Sequence, residues 1–140
     1  MIRFEGSFGR RVRRRLKREK VIWLTTVGRK GTPQPRPVWF VWEERKGTLL
    51  LFSQRETRKL EHLKRNRRVA VQFNTDPDGD DVVVFTGEAR IDRRHLPAHR
   101  VPNYVRKYKT GMRSLGMTPE AFAEEYEVPI RVRLQRLRGW

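Results

Sequence analysis

Residues 128–135, VPIRVRLQ, place Val128, Ile130, Val132 and Leu134 on one side of an extended chain and Arg131, Arg133 and Gln135 on the other. A period of two marks a strand with one face in a core and one in water. The register of such a strand is fixed, because a one-residue slip turns the whole apolar set outward. The pattern runs on to residue 137 and calls for antiparallel neighbours, whose sheets tolerate one wet face.

The candidate neighbours are short, β-branched and aromatic. VIWLTTV at 21–27, PRPVWFVWE at 35–43, TLLLFS at 48–53, RVAVQFN at 68–74 and VVVFTGEARI at 82–91 each read as a strand. Pro35 and Pro37 lack ladder donors and confine their strand to an edge or a bulge. Gly87 marks a bulge in the 82–91 strand. GRKGTP, RKG at 45–47 and DPDGDD at 76–81 are turns between them. Phe8, Val12 and Leu16, four apart, put a narrow apolar stripe on a basic helix over 8–20. Leu60 and Leu63 share a side of a helix over 56–65, and residues 95–109 suit another, interrupted at Pro97 or Pro102. Thr118 is placed as N-cap and Pro119 as the first residue of a last helix through Glu125. The expected fold is mainly β (α+β): one domain over 1–140, six antiparallel strands with flanking helices, closed into a small barrel that hides its edges.

Composition bounds the partners. The chain has 33 Lys and Arg against 16 Asp and Glu, a net charge of +17. That field attracts phosphates, nucleic acid and other polyanions alike. Cysteine is absent, which excludes disulfides and thiolate metal sites and fits a reducing, cytoplasmic location. The first residues, MIRFEGSFGRRVRRRLK, have no apolar run of a signal peptide, and no stretch approaches the ~18 apolar residues of a membrane span.

The charge is densest in LLFSQRETRKLEHLKRNRRVAVQF, residues 50–73, where seven of the residues between Phe52 and Val69 are Arg or Lys. Ser53 ends a strand and Thr57 opens a helix. Free backbone N–H groups at a helix start, two hydroxyls, and Arg55 and Lys59 four residues apart on one face make a cup for a phosphate dianion. Arg58 points to solvent in this reading. A surface helix with an ordinary hydroxyl cap gives the same pattern.

Four pieces in order resemble the pyridoxamine 5'-phosphate oxidase-like flavin and deazaflavin proteins, in particular the branch of enzymes dependent on coenzyme F420. They are VIWLTTVGRKGTPQPRPVWFVWE, the 50–73 segment, DDVVVFTGEARI at 80–91, and GMTPEAFAEEYEVPIRVRLQRLRGW at 116–140. The resemblance implies a split β-barrel that forms a homodimer with cofactor sites at the subunit interface. It implies that Pro37, Val38, Trp39 and Phe40 lie along the cofactor ring, and that Ser53, Arg55, Thr57 and Lys59 hold its phosphate. Arg138 and Trp140 would serve the site of the second subunit, and Tyr104, Lys107 and Tyr108 would line the substrate side. The implied activity is hydride transfer between reduced F420 and a small organic molecule. FMN is the alternative cofactor, and a carrier without turnover is an alternative role. The anionic tail of F420 matches the basic surface better than the single phosphate of FMN.

Other signals are weaker. His95 and His99 have metal-ligand spacing, but Pro97 lies between them and no third ligand is evident. DPDGDD starts like a calcium loop, yet its twelfth position is Gly87. Ser7, Ser53 and Ser114 stand in no nucleophile motif. A nucleic-acid module would use the charge and the tryptophans, but Trp23, Trp39 and Trp42 sit in strand runs and no RNP or KH signature is present. Nucleic acid and membrane are therefore not the expected partners.

Overall fold

A computed structural model describes residues 1–140. In chain order the elements are α1 (Gly6–Arg18), β1 (Ile22–Val27), β2 (Pro33–Val38), β3 (Val41–Glu43), β4 (Thr48–Ser53), α2 (Arg58–Arg65), β5 (Arg68–Gln72), β6 (Val83–Ile91), a 3-10 turn (Ala98–Arg100), α3 (Pro102–Ser114), α4 (Pro119–Glu125) and β7 (Val128–Gly139). The strands form one sheet in the order β2-β1-β5-β6-β7-β4-β3. Every pairing is antiparallel. The sheet curls into a half-barrel that is open between β2 and β3.

Seven strands replace the six expected, because the 35–43 segment is two strands. The chain breaks at Trp39 and Phe40, and the halves go to opposite edges of the sheet. The proline-bearing half does lie on an edge, as its missing donors require. Gly87 does mark a bulge: the β6–β7 register shifts between Thr86 and Gly87, where a Cβ would collide with the Arg133 carbonyl. DPDGDD is a turn, in which the Asp76 carboxylate accepts from the N–H groups of Asp78 and Asp80.

Two cores lie on the two faces of β4, all of whose residues are buried. Leu49 and Leu51 point into the barrel with Ile22, Leu24, Phe85, Ile130 and Val132. Val12 and Leu16 of α1, both fully buried, cover the same core, so the basic helix is docked through its apolar stripe. Leu50 and Phe52 point the other way, under Tyr104, Tyr108 and Met112 of α3 and Phe122 of α4. Pro102 starts α3, and the interruption falls at Val101 after the 3-10 turn. Thr118 caps α4 by accepting from the N–H of Ala121, with Pro119 at its first position. No helix is long and apolar enough to cross a membrane.

Candidate functional site

A cavity of about 280 Å³ opens where β4 hands over to α2. Its floor and walls are Phe52 at the end of β4, Pro37, Val38 and Trp39 at the β2–β3 break, and Tyr104, Leu115, Phe122 and Tyr126 from the helical side. Lys59 is the one charged residue among the lining groups. The combination of an apolar wall with a single cation is that of a ligand site, and the volume lies near the small end of such sites.

Trp39 is set by its neighbours. Its indole stacks on Tyr108, with centroids 4.5 Å apart, and on Phe122 at 5.5 Å. Phe122 in turn stacks on Tyr126 at 4.4 Å, so four near-parallel rings form a ladder along the cavity. The preceding break is pinned by α3. The Phe40 N–H donates to the Tyr108 hydroxyl at 2.7 Å, and that hydroxyl lies 2.8 Å from the Phe40 carbonyl and 2.7 Å from the Lys20 carbonyl. Lys107 Nζ donates to the Phe40 carbonyl at 2.9 Å and sits over the Phe40 ring. Burial raises the pKa of Tyr104 and Tyr108 well above the ordinary phenol value, so both stay protonated. The same burial lowers Lys107 to about 8.

The charged end of the cavity differs from the expected cup. Ser53 is buried and its hydroxyl donates to the Gln54 carbonyl, with Thr57 Oγ1 at 3.1 Å. Thr57 is the N-cap residue of α2 by backbone, but its side chain makes no cap bond. Arg55 precedes the helix; its guanidinium is exposed and paired with Glu127 at 3.0 Å. It therefore does not share a helical face with Lys59, because Thr57 is still extended and α2 begins only at Arg58.

A second cation whose field reaches Lys59 is Arg36. It is half-buried on β2, on the same side as Val38, and burial lowers its pKa. The pKa of Lys59 is lowered by burial and then by the charge of Arg36, whose field reaches it. His62, one turn beyond Lys59, holds its Nδ1 2.8 Å from the hydroxyl of the buried Thr26. Partial burial and the charges of Arg36 and Arg58 lower its pKa, which leaves it neutral near pH 7. Arg36 and Lys59, with the neutral His62 beside them, thus form a basic group with unused donor capacity, a donor set that suits an anion. The sequence carried two signals for it. Period two puts Arg36 beside Val38, and the i, i+3 spacing puts His62 beside Lys59.

The remaining expected residues lie elsewhere. Phe40 contributes only its backbone near the site, since its ring is fully buried in the barrel core. Arg138 pairs with Val84 at the far end of β7. Trp140 is exposed there, with its indole N–H 3.3 Å from Asp80. Neither lines the cavity of its own chain. Phe52, Leu115, Phe122 and Tyr126 line it but carried no sequence signal apart from being apolar. No group of His, Asp and Glu residues is arranged to hold a metal.

Known proteins share this fold. A conserved hypothetical protein from Mycobacterium tuberculosis is 20% identical, with 97% of this chain and 84% of that chain covered at a TM-score of 0.74. A protein described as F420 reductase is 24% identical over 88% of this chain and 92% of its own, at a TM-score of 0.64. HutZ, the heme storage protein from Vibrio cholerae, is 16% identical over 99% of this chain and 95% of its own, at a TM-score of 0.64. These likenesses establish the fold. A search of curated proteins finds no match. The family profile of pyridoxamine 5'-phosphate oxidase matches residues 8–127, which contain the cavity and its cationic end, and the chain belongs to that family of split β-barrels.

Proposed function

We propose that the protein is an oxidoreductase that uses the deazaflavin F420 to reduce a small organic molecule, acting as a cytoplasmic homodimer. The observation that carries this reading is an aromatic and proline-lined cavity with Lys59 as its one charged lining residue, within the field of Arg36. A planar ring with an anionic tail is the ligand whose two halves match those two environments. Bound F420 would supply the hydride. The chain's own residues would do the rest. Pro37, Val38 and Trp39 would support one face of the ring, and Lys59 and Arg36 would neutralise the phosphate with the Ser53–Thr57 corner beside them. Tyr104 and Tyr126 are the two phenols that line the cavity, and either would offer a hydrogen bond to the substrate. Tyr108 is committed to the Phe40 backbone.

The cavity of one chain is small for a tricyclic ring with a long tail. A second copy would complete it, with Arg138 and Trp140 as its contributions. FMN fits the same cluster with its single phosphate and is the second reading. The net charge of +17 favours the longer anion. Fluorescence titration of the purified protein with F420 and with FMN at physiological salt tests the proposal. Micromolar binding of F420, tighter than FMN, is expected. Failure of both to bind overturns it.

A further inference from the structure

The outer face of the sheet carries a second cationic basin. Thr48, Arg67, Glu88, Arg90, Arg131 and Arg133 line a volume of about 250 Å³ with no hydrophobic side chain among them. Thr48 and Ser53 are the two ends of β4, so this basin lies about 17 Å along the strand from the Lys59 corner. The two cavities share no lining residue.

Strand register forces the charges together. Arg131 on β7 stands directly opposite Arg90 on β6, and Arg133 is opposite both Glu88 and Thr48. Like charges directly opposite each other on one sheet face are destabilising. Arg131 is compensated and fixed: its Nε and Nη2 bond Glu43 at 3.1 and 3.2 Å, and its Nη1 bonds Asp92 at 3.0 Å. Arg133 reaches Glu88 only at 3.4 Å. Arg67 and Arg90 take part in no ion pair. Four guanidinium groups, Arg67, Arg90, Arg131 and Arg133, therefore meet three carboxylates, Glu88, Glu43 and Asp92, and Arg67 and Arg90 are left without a carboxylate partner.

We propose that this basin binds a small, doubly charged tetrahedral oxyanion of the phosphate class, held by Arg67, Arg90 and Arg133. The two unpaired guanidinium groups, Arg67 and Arg90, supply the positive charge for it. The guanidinium fork matches its oxygens, and Arg131 keeps donors beyond those given to Glu43 and Asp92. Binding would give the unpaired Arg67 and Arg90 a counter-charge, so the anion would stabilise the fold. The site is independent of the cofactor proposed above.

The test uses the full chain carrying Lys59→Ala, so that the first cationic cluster is weakened. Inorganic phosphate is titrated at about pH 8, where it is a dianion, against sodium chloride of equal ionic strength. Isothermal calorimetry and thermal unfolding are read together. Saturable binding of one phosphate per chain and a rise in Tm are expected. Arg90→Gln and Arg67→Gln should each weaken binding at least tenfold. Arg90→Gln should also raise the Tm in phosphate-free buffer, because an unpaired positive charge beside the other basin arginines is gone. Arg10→Gln removes the same charge from α1 and should leave binding unchanged. Unsaturable binding, or equal weakening by Arg10→Gln, would show a diffuse surface effect and overturn the site, as would an Arg90→Gln protein that binds phosphate like its parent.

Discussion

The indole of Trp39 lies flat on the phenol ring of Tyr108, with centroids 4.5 Å apart and planes within 4°. That contact joins the broken edge of the sheet to helix α3. Tyr108 also fixes the next residue, Phe40, through the backbone. One side chain therefore sets both where the strand breaks and where the ring after Val38 comes to rest.

Gly111 makes room for this stack. A Cβ built there would lie 2.9 Å from Trp39 Cη2, inside normal contact. Gly111→Ala should gain about 1 kcal/mol of helix propensity and lose about 1–3 kcal/mol to overpacking. The expected net result is a small loss of stability with a changed near-UV circular dichroism spectrum. Trp39→Phe in the same chain should remove the clash and recover the helix gain, which urea unfolding would read as a higher midpoint than that of Gly111→Ala alone.

Tyr108→Phe keeps the ring stack and removes the hydroxyl. The buried N–H of Phe40 then loses its acceptor, and the Lys20 carbonyl loses a donor. A cost of about 1–3 kcal/mol is expected for the group left unsatisfied. Denaturant unfolding with an unchanged m-value would confirm a stability effect alone; a cost near zero would mean that the 39–40 break is held by something else.

The half-buried strand β7 was legible because its alternation is local and its neighbours only confirm it. The Gly87 bulge and the Thr118 cap were legible for the same reason: each rests on residues within a few positions. The break at Trp39 and Phe40 was not, because its cause, Tyr108, lies 68 residues from Phe40 in sequence. The run PVWFV reads as one continuous strand until that hydroxyl is placed. The helical face expected for Arg55 differs on a finer point. Moving the start of α2 to Arg58 takes Arg55 off the helix, while Lys59 stays on it. The cavity itself joins segments from β2, β4, α2, α3 and α4, and no local pattern reports such a meeting.

Lys107 gives the fold a dependence on alkaline pH. Burial lowers its pKa from 10.5 to about 8, with the nearby Lys20 acting in the same direction and Glu19 against it. Between these values the unfolded chain binds more protons than the folded one, so stability rises with pH across this window. The carbonyl of Phe40 and the ring beneath the ammonium favour the charged form and temper the effect. Lys107→Met, which keeps the stem and removes the charge, should show a flatter stability curve between about pH 8 and 10.5 than the parent. The difference between the two urea-unfolding curves isolates this residue from the other lysines. Parallel curves would place the pKa of Lys107 at its ordinary value.

The cationic end of the cavity makes the most direct prediction about the ligand. Lys59→Ala should weaken F420 or FMN binding by about 1.5–3 kcal/mol, the scale of a hydrogen bond to a charged group. Arg36→Gln should cost a comparable amount, since Arg36 is the cation whose charge Lys59 feels. Arg55→Ala should change affinity little, because its guanidinium is exposed and engaged with Glu127. A larger loss for Arg55 than for Arg36 would restore the expected cup and reject the observed cluster. His62 supplies a readout that does not depend on activity. In the free protein its imidazole should titrate below the ordinary histidine value, as burial, Arg36 and Arg58 dictate. An anion placed among Arg36, Lys59 and His62 stabilises the imidazolium, so the His62 titration followed by NMR should move upward when the ligand binds. A ligand that binds tightly and leaves the His62 titration unmoved holds its phosphate somewhere else.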